Sequence, residues 1–145
     1  MKLAGLKILS IMVAAVFVVV ACTPSTVVGE PEKVAVNGGY YWDISSEQLN
    51  DMLKSKDFIM VNTHTPYYAE LAETDLFIPA ASVEESISMF PQDKGAKVVV
   101  YCQAGMHSAI AARKLVELGY TNVWNLKVGM VEWEDEGYEL IRNPQ

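Results

Sequence analysis

The chain has 145 residues, enough for one ordinary domain with short extensions. It is acidic, with a formal net charge of -7 at pH 7, and it lacks the clustered Lys and Arg that phosphate contacts need, which excludes a nucleic-acid partner. Two cysteines are too few for a disulfide framework, and Cys22 and Cys102 stand in such different surroundings that we expect no bridge between them.

The N-terminal segment, residues 1–21, has the pattern of a signal peptide. Two lysines precede an uncharged, mostly apolar run over residues 8–21, which is shorter than the roughly 20 residues that span a bilayer. The segment contains no acid, so its removal leaves 9 basic and 18 acidic residues and a net charge of -9. An uncleaved membrane anchor stays open as an alternative, because uncharged residues continue to Gly29.

The apolar run ends in "VVVAC", with the small residue Ala21 directly before Cys22. This ending resembles the lipobox of bacterial lipoproteins, although a valine stands where leucine is commoner. The resemblance implies cleavage before Cys22, lipidation of its thiol, and a domain anchored to a bacterial cell membrane on the extracytoplasmic side. Residues 22–39 are rich in proline, glycine and small residues without a sustained period, so we expect a lipidated N-terminus and flexible linker there.

A regular pattern begins at Tyr40 and indicates a folded domain over residues 40–145. The first five residues, "YYWDI", are a strand candidate. Ser45 then stands in the N-cap position with Gln48 three residues later, which predicts a capping box and a helix to about Lys54.

Alternating strands and helices continue to the C-terminus. Short β-branched runs at residues 58–62 and 97–102 predict strands buried on both faces, and residues 123–126 predict a weaker third strand. Between the last two we expect a helix over residues 108–118, with Gly119 as its C-cap. This alternation predicts a small α/β domain with a mainly parallel central sheet and helices on both faces.

Cys102 closes one of these strands, at the edge where open α/β sheets bind ligands. The loop of residues 103–107 leads into a helix whose first amides have no internal partner, and Gly105 lets the loop turn tightly enough for its N–H groups to converge. Amides and a helix N-terminus facing a thiol stabilise the thiolate, which is the nucleophile. A buried structural cysteine is the alternative, but the strand–loop–helix junction favours the nucleophile.

The segment of residues 101–140 resembles the C-terminal half of a rhodanese (sulfurtransferase) domain. The matching features are the strand ending in Cys102, the Cys-x-x-Gly loop, Ser108 opening a helix, and the segments "LGYTNVWNL" and "VGMVEWEDEGYEL". The likeness extends over about 100 residues and is loose before Pro79. The resemblance implies a rhodanese-like fold for the whole domain.

For this family the resemblance implies a cycle in which a cysteine takes sulfane sulfur from a donor such as thiosulfate or polysulfide. The persulfide then passes its outer sulfur to a thiol acceptor, either a small molecule or a protein. Cys102 is thereby the catalytic nucleophile and persulfide carrier, and no cofactor is implied. The substrate-binding residues implied around the persulfide are Gln103, Ala104, Gly105, Met106, His107 and Ser108.

This sequence departs from the family's pattern at several positions. His107 stands where arginine is frequent, and Asn62 and His64 stand in the places of an Asp-x-Arg motif. Val128 replaces the first of two glycines. A neutral imidazole attracts an anionic donor less than a guanidinium, so these departures concern the sulfur donor more than the fold. We interpret His64 chiefly as a residue that orients neighbouring loops; a part in shaping or charging the site is the alternative.

Three functions compete. The first is a membrane-tethered sulfurtransferase, and the second is a rhodanese-like module that binds sulfur or senses redox state with little or no turnover. The third is a related phosphatase or arsenate reductase, which needs a loop one residue longer closed by an arginine; this loop reaches Ser108 without one. With two histidines and Cys22 assigned to lipid, we expect no metal centre.

Overall fold

The structure is a computed structural model that describes residues 29–142. Its strands are β1 (Glu32–Val36), β2 (Gly39–Ile44), β3 (Ile59–Asn62), β4 (Leu76–Phe77), β5 (Val98–Tyr101) and β6 (Val123–Leu126), and its helices are α1 (Ser46–Leu53), α2 (Met106–Glu117) and α3 (Met130–Asp135). They form one sheet in the order β1-β2-β6-β5-β3-β4, in which β1 pairs antiparallel and all other neighbours pair parallel. The predicted α/β class with a mainly parallel sheet is confirmed.

Strand β5 lies in the middle of the sheet and its four residues are all buried. Because side chains alternate along a strand, Val98 and Val100 pack with α2 on one face, whereas Val99 and Tyr101 pack with α1 and α3 on the other. The helices therefore cover both faces of the sheet, as predicted, and a continuous apolar run is what a strand covered on both faces requires.

Helix α1 begins as the sequence predicts. The Ser45 hydroxyl accepts a hydrogen bond from the Gln48 N–H at 3.2 Å, and the Gln48 side chain accepts one from the Ser45 N–H at 2.8 Å. This reciprocal capping box satisfies two amides at the start of the helix.

Helix α2 differs from its predicted bounds at both ends. It begins two residues earlier, at Met106, because Gly105 adopts a left-handed conformation (φ 82°) as the N-cap. At the other end Leu118 is the C-cap, and Gly119 (φ 92°) follows it. The N–H groups of Gly119 and Tyr120 bond back to the last turn of the helix, which is the pattern of a Schellman motif.

The domain begins before Tyr40, so the expected flexible linker is wrong for residues 32–39. Strand β1 joins β2 through a two-residue hairpin, Asn37–Gly38, with Gly38 at φ 87°. Asn-Gly is the strongest short signal for such a turn, but β1 lies at the sheet edge with mostly exposed residues and shows no continuous apolar run. The expected signal peptide and the lipidation of Cys22 lie outside the described residues. Between residues 29 and 142, no helix is long and apolar enough to cross a membrane.

Candidate active site

Cys102 lies at the carboxyl edge of the sheet, directly after β5, and is only 2% exposed. The loop after β3 is fixed beside it, because the Thr63 N–H and hydroxyl both donate to the carbonyl of Tyr101, at 2.8 and 2.9 Å. The turn between β6 and α3 approaches the residues after Cys102 from the other side. Three neighbouring strand ends thus surround one thiol.

Two glycines allow the turn between β6 and α3 to touch the cysteine loop. A Cβ on Gly105 would lie 1.9 Å from the carbonyl oxygen of Lys127, and a Cβ on Gly129 would lie 2.2 Å from that of Cys102. Both positions also have positive φ, of 82° and 70°. Since no larger residue fits such approaches of backbone to backbone, the geometry of the loop depends on both glycines.

The first amides of α3 bind the carbonyls of the cysteine loop. The Met130 N–H donates to the Cys102 carbonyl at 2.9 Å, and the Val131 N–H donates to the Gln103 carbonyl at 3.0 Å. By contrast, the six N–H groups of residues 103–108 have no hydrogen-bond acceptor among residues 29–142. Unpaired amides at a helix N-terminus are suited to an anion, so the loop offers its donors to whatever charge develops on the cysteine.

Ser108 is next to the thiol and is fully buried. Its hydroxyl is 3.5 Å from the Cys102 Sγ and 3.1 Å from the carbonyl oxygen of Gly105, and it can donate its proton to either. A thiolate is the stronger acceptor of the two, because hydrogen bonds to charged groups are stronger than those between neutral groups. Ser108 is therefore placed to add one donor to the six amides.

The thiol opens into a small cleft of about 160 Å³, lined by His64, Cys102, Ala104, Met106 and His107. At about 30 Å³ per water molecule, this space holds roughly five waters, which suits a small anion or the end of a thiol chain. Met106 is 74% exposed at the mouth of the cleft. Among residues 29–142, no lysine or arginine lines this cleft.

Two imidazoles stand together in this cleft. The rings of His64 and His107 are stacked, with centroids 5.4 Å apart and planes 25° apart. Burial, and then the neighbouring His107, lower the pKa of His64 below its ordinary value, because both disfavour the charged ring. His64 therefore lines the cleft beside His107, and its position two residues beyond β3, which pairs with β5, was the sequence signal for this placement.

The predicted site residues fall into two groups. Ala104, Met106 and His107 line the cleft with Cys102, whereas Gln103, Gly105 and Ser108 lie around the thiol through the backbone and hydroxyl contacts given above. Their roles in binding substrate remain predictions. Among the residues that the structure describes, no three His, Cys, Asp or Glu side chains are grouped to hold a metal ion.

A buried thiol at a strand end, next to a tight loop and a helix N-terminus with unpaired amides, defines a class of α/β proteins with a cysteine in the loop after a central strand. Residues 62–136 match the family model described as the Rhodanese-like domain. The chain belongs to this family, as its sequence motifs indicated.

Relatives agree with this assignment. A sulfurtransferase of Allochromatium vinosum is 32% identical over 104 residues, which cover 68% of this chain and 94% of the relative. A crystal structure of a rhodanese-like domain protein from Staphylococcus aureus superposes with a TM-score of 0.57 at 26% identity, covering 70% of this chain and 98% of that one. The tRNA uridine(34) hydroxylase of Escherichia fergusonii is 28% identical over 116 residues, but the chain spans only 33% of its length.

Proposed function

We propose that the protein is a membrane-tethered sulfurtransferase that carries sulfane sulfur as a persulfide on Cys102. The observation that supports this most is the set of six amides at residues 103–108 without an acceptor among the described residues, next to a thiol that opens into a small cleft. Similarity to a sulfurtransferase that the chain covers almost completely supports the same class of reaction.

The reaction with thiosulfate has two balanced steps. The Cys102 thiolate attacks the outer sulfur of thiosulfate, the sulfur–sulfur bond of the donor breaks, and sulfite leaves with the electron pair. The persulfide anion on Cys102 is held by the loop amides. A thiol acceptor then attacks the outer sulfur, and the Cys102 sulfur leaves as the thiolate, ready for another cycle.

Mass spectrometry tests the first step directly. We expect the purified protein, incubated with thiosulfate or polysulfide, to gain one sulfur atom, and peptide mapping to place it on Cys102 rather than on Cys22. Added dithiothreitol should remove that sulfur. A protein that gains no sulfur from either donor would contradict the proposed function.

A non-catalytic or weakly catalytic module that binds sulfur or senses redox state is the second candidate. It is favoured by one observation, namely that no lysine or arginine of the described part of the chain lines the cleft, so an anionic donor meets little positive charge there. The two functions differ in turnover. A sulfurtransferase releases many acceptor persulfides per protein, whereas a sulfur-binding module loads once and transfers slowly or not at all.

The side chain of His107 should govern the use of anionic donors. We expect thiosulfate turnover to be weak, because an imidazole attracts an anionic donor less than a guanidinium does. The lowered pKa of His64 leaves that ring neutral at pH 7, so it adds no attraction there. His107→Arg supplies a permanent charge and should lower KM roughly tenfold, equivalent to about 1.4 kcal/mol of binding.

Initial rates for wild type, His107→Arg and His107→Ala between about pH 5 and 9 check this expectation. The arginine variant should change KM more than kcat, and the alanine variant shows what remains when the imidazole is removed. Identical profiles for all three would show that the side chain has no part in binding the donor.

Membrane attachment through Cys22 is proposed from the "VVVAC" ending of the N-terminal apolar run. We expect the mature protein to begin at Cys22, to carry lipid on it and to face the extracytoplasmic side. Cys22→Ser should accumulate as a precursor that retains residues 1–21 and incorporates no labelled fatty acid. Native protein with Met1 in place and no lipid would overturn this proposal.

A further inference from the structure

Besides the cysteine, two histidines are the side chains of the cleft that can carry a proton, among the residues that the structure describes. Of its five lining residues, Cys102 is the nucleophile, and Ala104 and Met106 have no group that titrates. Because the cleft holds roughly five water molecules, a reacting sulfur inside it is close to both imidazoles. Imidazole is the side chain best suited to move protons near neutral pH.

His64 is held in place through its backbone, and its ring forms no hydrogen bond with another residue between 29 and 142. Its backbone N–H donates to the Asn62 Oδ1 at 3.1 Å, and the Asn62 amide in turn donates to the carbonyl of Ala69 at 2.9 Å. Asn62 is fully buried, so these two hydrogen bonds are shielded from competing water. The ring itself contacts His107 by stacking and Tyr68 edge-on, with centroids 6.4 Å apart in the second pair.

The second half of the proposed reaction needs such a group. Most aliphatic thiols are protonated at pH 7, since their pKa lies near 8.5, and the protonated thiol is a poor nucleophile. A positioned base that removes this proton as the sulfur attacks contributes about 10²–10⁴-fold in rate. Among the described residues that line the cleft, the side chains that can act as such a base are the two imidazoles.

We propose that His64 accepts the proton of the acceptor thiol while that thiol attacks the outer sulfur of the Cys102 persulfide, an inference that rests on the proposed function. The S–H bond of the acceptor breaks, and its electron pair forms the new sulfur–sulfur bond. The sulfur–sulfur bond on Cys102 breaks and leaves the electron pair on Sγ. The protonated His64 then returns the proton to the outer sulfur of the departing acceptor persulfide.

The net change is a Cys102 persulfide anion and a thiol becoming a Cys102 thiolate and an acceptor persulfide. No external oxidant, reductant or proton is required. The lowered pKa of His64 supports this role, because the ring is neutral and able to accept a proton across the neutral range. Among the described residues, the titratable groups that face the His64 ring are His107 on α2, Tyr68 on the loop of His64, and Cys102. Arg142 donates a hydrogen bond to the Tyr68 hydroxyl.

A single-turnover experiment with two acceptors tests the assignment. The full-length protein is loaded with sulfur from thiosulfate, freed of donor, and mixed at pH 7 with 2-mercaptoethanol or with thionitrobenzoate, which is already ionised. The reaction is stopped at successive times in a quenched-flow instrument, and the loss of the persulfide is followed from the intact mass of the protein. His64→Ala and His64→Gln should load normally but transfer to 2-mercaptoethanol roughly 100-fold more slowly, with transfer to thionitrobenzoate changed by less than about threefold.

Two further readouts separate proton transfer from a structural role. Free imidazole should restore transfer to 2-mercaptoethanol in His64→Ala, and Tyr68→Phe, which keeps the ring beside His64, should behave like wild type. In the wild type, transfer to 2-mercaptoethanol should fall as the pH drops through the lowered pKa of His64, because protonation removes the base.

The experiment distinguishes failure of the His64 assignment from failure of the proposed function. If the loaded variants transfer to both acceptors at the wild-type rate, or lose the same factor with both, His64 is not the base and the inference is overturned. If wild type gains no sulfur on Cys102 from any donor, the proposed function itself fails and the inference with it.

Discussion

Cys102→Ser is expected to gain no sulfur and to transfer none, while remaining folded. A hydroxyl is far less acidic than a thiol, so it offers no nucleophilic anion at neutral pH and forms no persulfide. The serine side chain is close in size to the cysteine side chain, so the fold should be kept, and burial of its hydroxyl should lower the free energy of unfolding by only about 1–3 kcal/mol.

Two measurements on the same preparation check this prediction: the rate of sulfur transfer from thiosulfate to a thiol, and the free energy of unfolding in urea. Cys22→Ser is the matched control, because it removes the other cysteine of the chain and should retain transfer. Wild-type transfer by Cys102→Ser would show that the chemistry takes place elsewhere.

Gly105→Ala is expected to destabilise the protein and to disable the site together. A left-handed conformation costs a residue with a Cβ about 1–2 kcal/mol, and a Cβ placed 1.9 Å from the Lys127 carbonyl forces a shift of the backbone that adds about 1–3 kcal/mol. We therefore expect a loss of roughly 2–5 kcal/mol, a large part of the stability of a typical domain. Any folded fraction should load sulfur poorly, because the displaced loop carries the amides.

Gly119→Ala provides the comparison. Gly119 has a similar backbone conformation, φ 92°, but a Cβ there meets no atom within 4 Å. Its substitution should cost only the conformational part, about 1–2 kcal/mol, and leave sulfur loading unchanged. The difference in urea unfolding between the two variants measures the cost of the close approach. Equal losses for both would mean that the loop and the turn after β6 are not in tight contact in solution.

Much of the fold could be predicted because its signals are local. The Ser45 and Gln48 side chains lie three residues apart and cap the helix between them whatever surrounds it. The four buried residues of β5 form one apolar run, which identifies a central strand without knowledge of its neighbours. In the site, Cys102 and Gly105 could be identified for the same reason, since strand, loop and helix follow each other in sequence.

The missed features depend on partners distant in sequence. Strand β1 is mostly exposed and is held in the sheet by its pairing with β2. Its sequence therefore lacks the apolar pattern that would predict a strand. His64 stands 43 positions before His107, and only the parallel pairing of β3 with β5 brings their loops together. Likewise, nothing near Gly129 in sequence shows that it lies against the Cys102 carbonyl.

The two hydrogen bonds from Met130 and Val131 to the carbonyls of the cysteine loop should affect how the loop responds when Cys102 gains a sulfur atom. A flexible loop would have to turn its amide dipoles toward each new negative charge, and that reorganisation would add to the barrier of every sulfur transfer. Here the carbonyl groups of Cys102 and Gln103 are already fixed by hydrogen bonds from helix α3. We therefore expect the empty and the sulfur-loaded loop to share one conformation, so that the sulfur moves between molecules while the backbone around it stays still.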